Sequence, residues 1–277
     1  MAVKQYKPTT PGRRNMTNQD FSMVTRNKPM KSLLSVKNNT AGRNNQGKIT
    51  SRRRQGTKRF LRDVTYVLPA DTNAEVIGIE YDPNRSARIA LIKDQNEKHF
   101  YVIAGNKFTV GQKIVSGPDA PIEAGNHLPL SNIPAGTFVY NIQLSVGGKG
   151  QLVRTAGTKA QLVAKEGEYG QVRLPSGEVR MVNLNCYATI GAIGNEQHQN
   201  IKWGSAGRNR HRGKRPSVKG RAMNAADHPM GGGDGGKGSL GGHPMTPWGK
   251  KALGLKTRKR KSTSKYIVRS RHAAKRK

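Results

Sequence analysis

The 277-residue sequence predicts an all-β protein, two small barrels held between long basic N- and C-terminal extensions with little regular structure. Three observations lead there. Residues 61–200 break into short β-branched and aromatic runs separated by turn residues. No stretch of that region has the 3.6-residue period of an amphipathic helix. The formal charge of +34 is also divided rather than spread: residues 1–60 hold 15 Lys and Arg against one acid, residues 61–200 hold 13 against 13, and residues 201–277 hold 22 against two. A single basic globule would not divide this way. The expected organisation is a basic extension over 1–60, barrels over 61–125 and 126–200, and a basic, glycine-rich extension over 201–277.

Such a charge makes a polyanion the expected partner. A membrane surface fits poorly, because no run of 18 apolar residues and no amphipathic helix is present. Met1 to Arg14 lacks the apolar core of a signal peptide. The single cysteine, Cys186, excludes an internal disulfide and any multi-thiolate zinc site. The reading is a soluble intracellular protein that binds nucleic acid.

The first extension is rich in Asn, Thr, Gly and Pro. It carries Arg43 and Asn44 in a Gly-Arg-Asn-Asn run, then Arg52, Arg53, Arg54, Lys58 and Arg59 within eight residues. With one carboxylate in about 60 residues, these cations are expected on phosphates. Strands are expected at Arg62 to Leu68, Ala74 to Tyr81, Ser86 to Lys93 and Lys98 to Ala104, with turns at Asp82-Pro83-Asn84-Arg85 and Asp94 to Glu97. After the proline-rich 118–134 stretch, Thr137 to Leu144 and Lys159 to Glu166 follow. A hairpin then turns at Pro175-Ser176-Gly177, where polar and apolar residues alternate on both sides. Nine of the fifteen aromatic residues lie between 61 and 200, so the core is placed there. Arg85 and Arg88, beside the Asp-Pro-Asn-Arg turn, are candidate RNA contacts. So are Lys149, Arg154 and Lys159 around the glycine-rich 147–157 segment, because glycine beside Arg lets a phosphate approach backbone N–H groups.

From Ile201 the chain interleaves cations with glycine. Trp203, Arg208, Arg210, Arg212, Lys214, Arg215 and Arg221 lead into the glycine-dense stretch Asn224 to Lys251. So little apolar mass there cannot offset the ordering entropy, roughly 1–2 kcal/mol per residue for backbone alone, so a bound anion must order it. Asn224, His228, Lys237, His243, Trp248 and Lys250 are its candidate RNA contacts, and Arg258, Lys259 and Arg260 continue them. The triplet His228 to Met230 recurs at His243 to Met245. Trp203 and Trp248 either stack on a splayed base or pack against protein.

Enzyme signatures are weak. Gly231 to Lys237 matches the first seven positions of a nucleotide-binding loop, but Gly238 stands where Ser or Thr should hold Mg²⁺, and no strand or helix flanks it. Asp227-His228 lacks a nucleophile and an enclosed pocket. The plainer reading has Asp227 capping a turn while His228 bonds RNA. His228, His243 and Cys186 lack metal-ligand spacing, so no catalytic or metal residue is assigned. A free RNA chaperone is the alternative function.

Several motifs now converge: Glu80 to Ala87, Gly147 to Gly157, Ala222-Met223-Asn224 with Asp227-His228-Pro229, Gly231 to Gly233, and Pro244-Met245-Thr246-Pro247-Trp248-Gly249. With Lys7 to Arg14 and Gly42 to Asn45, they closely resemble the family of ribosomal protein two of the bacterial large subunit, over essentially the whole chain. The resemblance implies an oligonucleotide-binding-like barrel followed by an SH3-like barrel. It implies a structural, cytoplasmic component of the ribosome that binds 23S rRNA as a primary binder. The implied partners also include small-subunit rRNA at the subunit interface and other ribosomal proteins, with no membrane and no free homo-oligomer. Subunit association, tRNA binding and the architecture of the peptidyl-transferase centre are the implied roles. Arg85 and Arg154 match positions the family uses for RNA. No cofactor is implied beyond Mg²⁺ that accompanies rRNA. A catalytic histidine suggested for the family is disputed. Met230 stands where the family commonly has a second histidine, and His228 is read as structural.

Overall fold

The structure, a computed structural model, describes residues 3–57, 59–233 and 243–273. Two compact units divide the chain. The first comprises Met1–Asn38, Lys58–Ser205 and Thr263–Lys277, and the second Asn39–Thr57 and Ala206–Ser262. Candidate residues Lys58 and Lys237 lie outside the described residues.

The first unit is all-β. Its main sheet is built from β1 (Thr72–Glu80), β2 (Ile89–Asp94), β3 (His99–Ile103), β4 (Lys113–Ser116), β5 (His127–Pro129), β6 (Phe138–Tyr140), β7 (Ala160–Glu166), β8 (Tyr169–Arg173), β9 (Val179–Asn183), β10 (Tyr187–Ile190) and β11 (Ile267–Arg269). The spatial order is β11-β9-β8-β7-β6-β10-β5-β4-β1-β2-β3. Neighbours run antiparallel, except that Ser116 of β4 meets His127 of β5 in parallel.

The apolar run Ile89-Ala90-Leu91-Ile92 explains how β2 is used. Ile89 and Leu91 join Val64, Tyr101 and Ile103 on one face, while Ala90 and Ile92 join Val76, Val102 and Ile114 on the other. Burial on both faces calls for unbroken hydrophobicity, where half-burial calls for alternation. The hairpin of β8 and β9 alternates as expected: Val172 and Val182 enter a separate core with Leu128, Leu162 and Ile190, and the register pairs Arg173 with Val179.

Two expected strands differ. Thr137 to Leu144 is interrupted at Asn141, whose φ of 52° is left-handed, a conformation Asn tolerates better than most residues. Arg62 to Leu68 yields only the short strand Leu61–Arg62 and a bridge from Val64 to Tyr101. The chain there dips Val64 and Leu68 into the core without running along a neighbour.

Residues 24–33 pack on the first half of this sheet. Thr25 N donates to Ile79 O at 3.0 Å, and Arg26 bridges to Glu80. Gly78 permits it, because a Cβ there would lie 2.7 Å from Arg26 Cδ. Glu80 is buried; Arg26 Nε lies 3.6 Å from Oε1 and the Tyr101 hydroxyl donates to Oε2 at 2.8 Å. Burial raises the Glu80 carboxyl above its ordinary range.

The second unit has a different construction. Its α-helix is Ala206–His211, six residues long. Backbone bonds join the two segments of the unit: Gln55 N donates to Gly213 O at 3.0 Å, and Arg215 N to Arg53 O at 3.1 Å. Among its described residues only His228 is buried. No helix among the described residues is long and apolar enough to cross a membrane.

Candidate nucleic-acid interface

In the first unit the glycine-rich segment brings two candidate cations together. Arg154 lies with its Cζ 4.6 Å from the centroid of Tyr66, and Arg85 approaches the same ring at 5.8 Å. The Asp-Pro-Asn-Arg turn fixes Arg85: Asp82, fully buried, accepts from Arg85 Nε at 2.6 Å and from Asn84 N at 2.8 Å. Arg85 Nη1 also donates to the Tyr66 hydroxyl at 3.2 Å. Burial works against the Arg85 charge, but the bonds it donates to Asp82 and Tyr66 outweigh it and raise its affinity for the proton. Arg154 Nη1 donates to Gly150 O at 3.2 Å. Two guanidinium groups from distant segments are therefore held at one aromatic ring, which is worth about 0.5–2 kcal/mol per cation–π contact. Sequence reasoning missed Tyr66 and the anchoring role of Asp82. The signal available was the Asx geometry of the turn, which demands that Asp82 accept from the backbone two residues on.

The other candidates of this unit separate. Arg59 Nη1 donates to Pro83 O at 2.7 Å, so it braces the same turn. Lys149 is exposed, and Lys159 Nζ sits 4.0 Å over the exposed ring of Phe138. Arg88 is a correction, because it lies inside at 3% exposure rather than on a phosphate-facing surface. Its Nη2 donates to Asp20 O, and Phe21 and Tyr81 flank the guanidinium at 4.6 and 5.3 Å. Burial lowers its affinity for the proton. Arg88 immediately precedes β2, whose first four residues are all buried, and the Asp20–Phe21 strap that covers it is 67 or more residues away in sequence. Trp203 is half-buried and meets His198 edge-on at 6.4 Å, which favours packing over stacking.

In the second unit Arg43, Arg52, Arg53, Arg54, Arg210, Lys214, Arg215 and Arg221 are exposed, while Arg208 and Arg212 are half-exposed. The isolated bridge Arg54↔Lys214 and the bond from Arg53 Nε to Arg215 O, 3.2 Å, set basic residues of the two segments side by side. Asn44 serves the backbone: its Oδ1 accepts from Gln46 N and Lys48 N. Asn224 does likewise, accepting from Ala226 N at 3.2 Å, so Asn224 rather than Asp227 caps that turn. His228 is buried, accepts at Nδ1 from Met230 N at 3.0 Å, and presses so closely on Gly220 that a Cβ there would lie 2.4 Å from the ring. His243 is half-buried. Thr246 N donates to Lys250 O at 2.7 Å and Ala252 N to Pro244 O at 2.8 Å, a tight turn that carries Trp248 with 74% of its surface exposed and Lys250 beside it. Arg258, Lys259 and Arg260 are exposed. Among the described residues no group of three His, Cys, Asp or Glu is placed to hold a metal ion.

The unit thus offers exposed cations, one free aromatic face and few carboxylates. Residues 30–116 match the family described as Ribosomal Proteins L2, RNA binding N-terminal domain, and residues 123–249 match Ribosomal Proteins L2, C-terminal domain. The chain is also 50% identical over 277 residues to the large ribosomal subunit protein uL2 of Paracoccus denitrificans (strain Pd 1222), covering 99% of each chain.

Proposed function

The chain belongs to the ribosomal protein L2 family, and from that premise we propose that it works as a structural, rRNA-binding constituent of the large ribosomal subunit, located in the cytoplasm with the ribosome. The observation that carries the reading is the second unit: twenty Lys and Arg stand there against two acids, on a framework with one buried side chain among its described residues. Such a segment gains order when phosphates surround it, and each phosphate neutralised releases condensed counterions. Folded ribosomal RNA supplies phosphates on several sides, whereas a DNA duplex offers grooves but few interiors. Among the described residues no recognition-helix arrangement suits a duplex, since the unit's α-helix has six residues.

The finer reading assigns 23S rRNA as primary partner, with small-subunit rRNA and other ribosomal proteins contacted at the subunit interface. Arg85 and Arg154, held at Tyr66, present N–H groups to adjoining phosphates. Trp248 offers its free face to a splayed base. His228 acts structurally: a general base needs an available ring nitrogen near substrate, and Nδ1 is already taken by Met230 N. Mg²⁺ belongs to the folded RNA in this reading. Support for tRNA binding and for the peptidyl-transferase region follows from ordered RNA rather than from chemistry by the protein.

The test is equilibrium binding of the full chain to large-subunit rRNA across a salt series. Affinity for large-subunit rRNA should exceed that for unrelated structured RNA, and Arg154→Ala should weaken it and lower the salt slope by about one. Equal affinity for any polyanion would overturn the reading in favour of a general RNA chaperone.

A further inference from the structure

The N-terminal segment and the stretch that follows β10 enclose a concave groove of about 570 Å³. That lies within the roughly 300–1,000 Å³ of small-ligand clefts. Four amides, Gln5, Asn15, Gln197 and Asn200, line it together with Tyr6 and two cations, Arg14 and Lys202. Among the described residues that line it none is acidic. The neighbouring carboxylates are engaged elsewhere: Glu196 accepts from Asn106 Nδ2 at 2.9 Å, and Asp20 from the Ser22 hydroxyl and N–H at 2.7 and 3.0 Å.

The walls are braced. Lys202 N donates to Thr17 Oγ1 at 2.8 Å, and Thr17 N to Lys202 O at 2.9 Å. Gln5 pairs with Thr17 in a short antiparallel ladder. Tyr6 is held by Asn18, whose Nδ2 donates to the hydroxyl at 3.1 Å, and by Arg13, whose Cζ lies 5.4 Å from the ring centroid. Asn200 Nδ2 donates to Gln197 Oε1. That bond leaves the Gln197 NH₂ as a donor beside the Asn200 carbonyl as an acceptor.

We propose that this groove binds one unpaired nucleotide of the rRNA, with its phosphate on Arg14 and Lys202 and its base edge on Gln197 and Asn200. The inference rests on the rRNA-binding reading above and adds a site to it. A row of duplex phosphates would call for a line of cations. Two cations beside paired amides instead suit one splayed nucleotide, the kind of target that sequence-specific RNA recognition favours. An amide donor next to an amide acceptor complements an exocyclic amino group beside a ring-nitrogen acceptor, which is the edge of adenine or cytosine.

The experiment uses the full chain bound to large-subunit rRNA and probes the base edges with dimethyl sulfate, which methylates that ring nitrogen in unpaired adenine and cytosine. Binding should protect one such nucleotide. Gln197→Ala with Asn200→Ala should abolish that protection while the rest of the footprint persists. Arg14→Ala and Lys202→Ala should each lower the salt slope by about one. An iron chelate attached after Asn15→Cys should cleave rRNA beside the protected nucleotide, since the native Cys186 is buried. Asn200→Asp serves as a control on an exposed residue: it keeps the shape, removes the NH₂ that bonds Gln197, and should also lose the protection. Unchanged protection in these variants, or cleavage only within helices, would overturn the proposal. If the unaltered chain protected no rRNA nucleotide at all, the rRNA-binding reading itself would fall.

Discussion

The two units are held together by different physics. The first buries both faces of β2 and maintains three apolar clusters. Transfer of that surface from water, at about 25 cal/mol per Å², is enough to specify a sheet. The second buries only His228 among its described residues and relies on backbone bonds such as Gln55 to Gly213. It nevertheless carries a net charge of +18, against +16 for the much longer first unit. The lesson is that one region of the chain orders itself by burial, whereas the other has too little apolar surface to do so and relies on its partner for order. Variants should therefore divide cleanly between loss of stability and loss of binding.

The largest effect expected is in the first unit. Ile92→Ala empties a fully buried position of β2 and should cost the free protein about 2–5 kcal/mol in urea unfolding. An Ile92→Ala protein as stable as the parent would mean that burial at β2 does not hold the first unit together.

Acid supplies a second cut through the first unit. His127 is buried, with Nδ1 bonded to the Thr189 hydroxyl at 3.0 Å, and burial lowers its pKa to about 4. The unfolded chain takes up the proton near 6.5, so the unfolded state binds more protons between these values. The contribution is complete above about pH 6.5 and is lost as pH falls toward 4, with about 2 kcal/mol gone by pH 5. The His127→Gln variant should lack that loss, which the difference between the two urea midpoints at pH 7 and pH 5 would report. Glu80, shifted upward, acts in the opposite sense, and comparing the two proteins cancels its part.

Next in size is a change in the second unit with no counterpart in the first. Gly220→Ala drives a methyl group into the His228 ring. It should weaken rRNA binding about tenfold (about 1.4 kcal/mol) in filter-binding assays and leave the thermal transition of the sheet in place. A shared drop in melting temperature would show that the second unit contributes to the fold. The smallest effects expected are Trp248→Ala and Lys93→Ala, each within about 0.5 kcal/mol of the parent in stability. Only the first should reduce rRNA affinity, because Lys93 is committed to Glu97 at 2.9 Å.

The sequence was informative wherever neighbours in the chain are neighbours in space. The β8–β9 hairpin, the turn at Asp82 to Arg85 and the division of charge all have that local character. Partners distant in the chain were not legible. Ile267–Arg269 looked like part of a basic tail, yet it adds a strand to the edge of β9, because an unpaired edge accepts any extended segment of suitable length. Charge alone suggests a phosphate-facing Arg88, whereas Phe21 and Asp20, which cover it, lie far earlier in the chain. Tyr66 and the groove around Tyr6 escaped for the same reason. Their chemistry arises from separate segments that carry no motif alone.

The most direct measurement is sedimentation of ribosomes from a lysate through sucrose before and after a high-salt wash, with this chain quantified in each fraction. Exposed phosphate contacts alone lose orders of magnitude in affinity as salt rises, whereas a chain ordered within folded RNA is trapped there. About one copy per large subunit should be retained through the wash. Release of the chain into the soluble fractions would contradict that trapping.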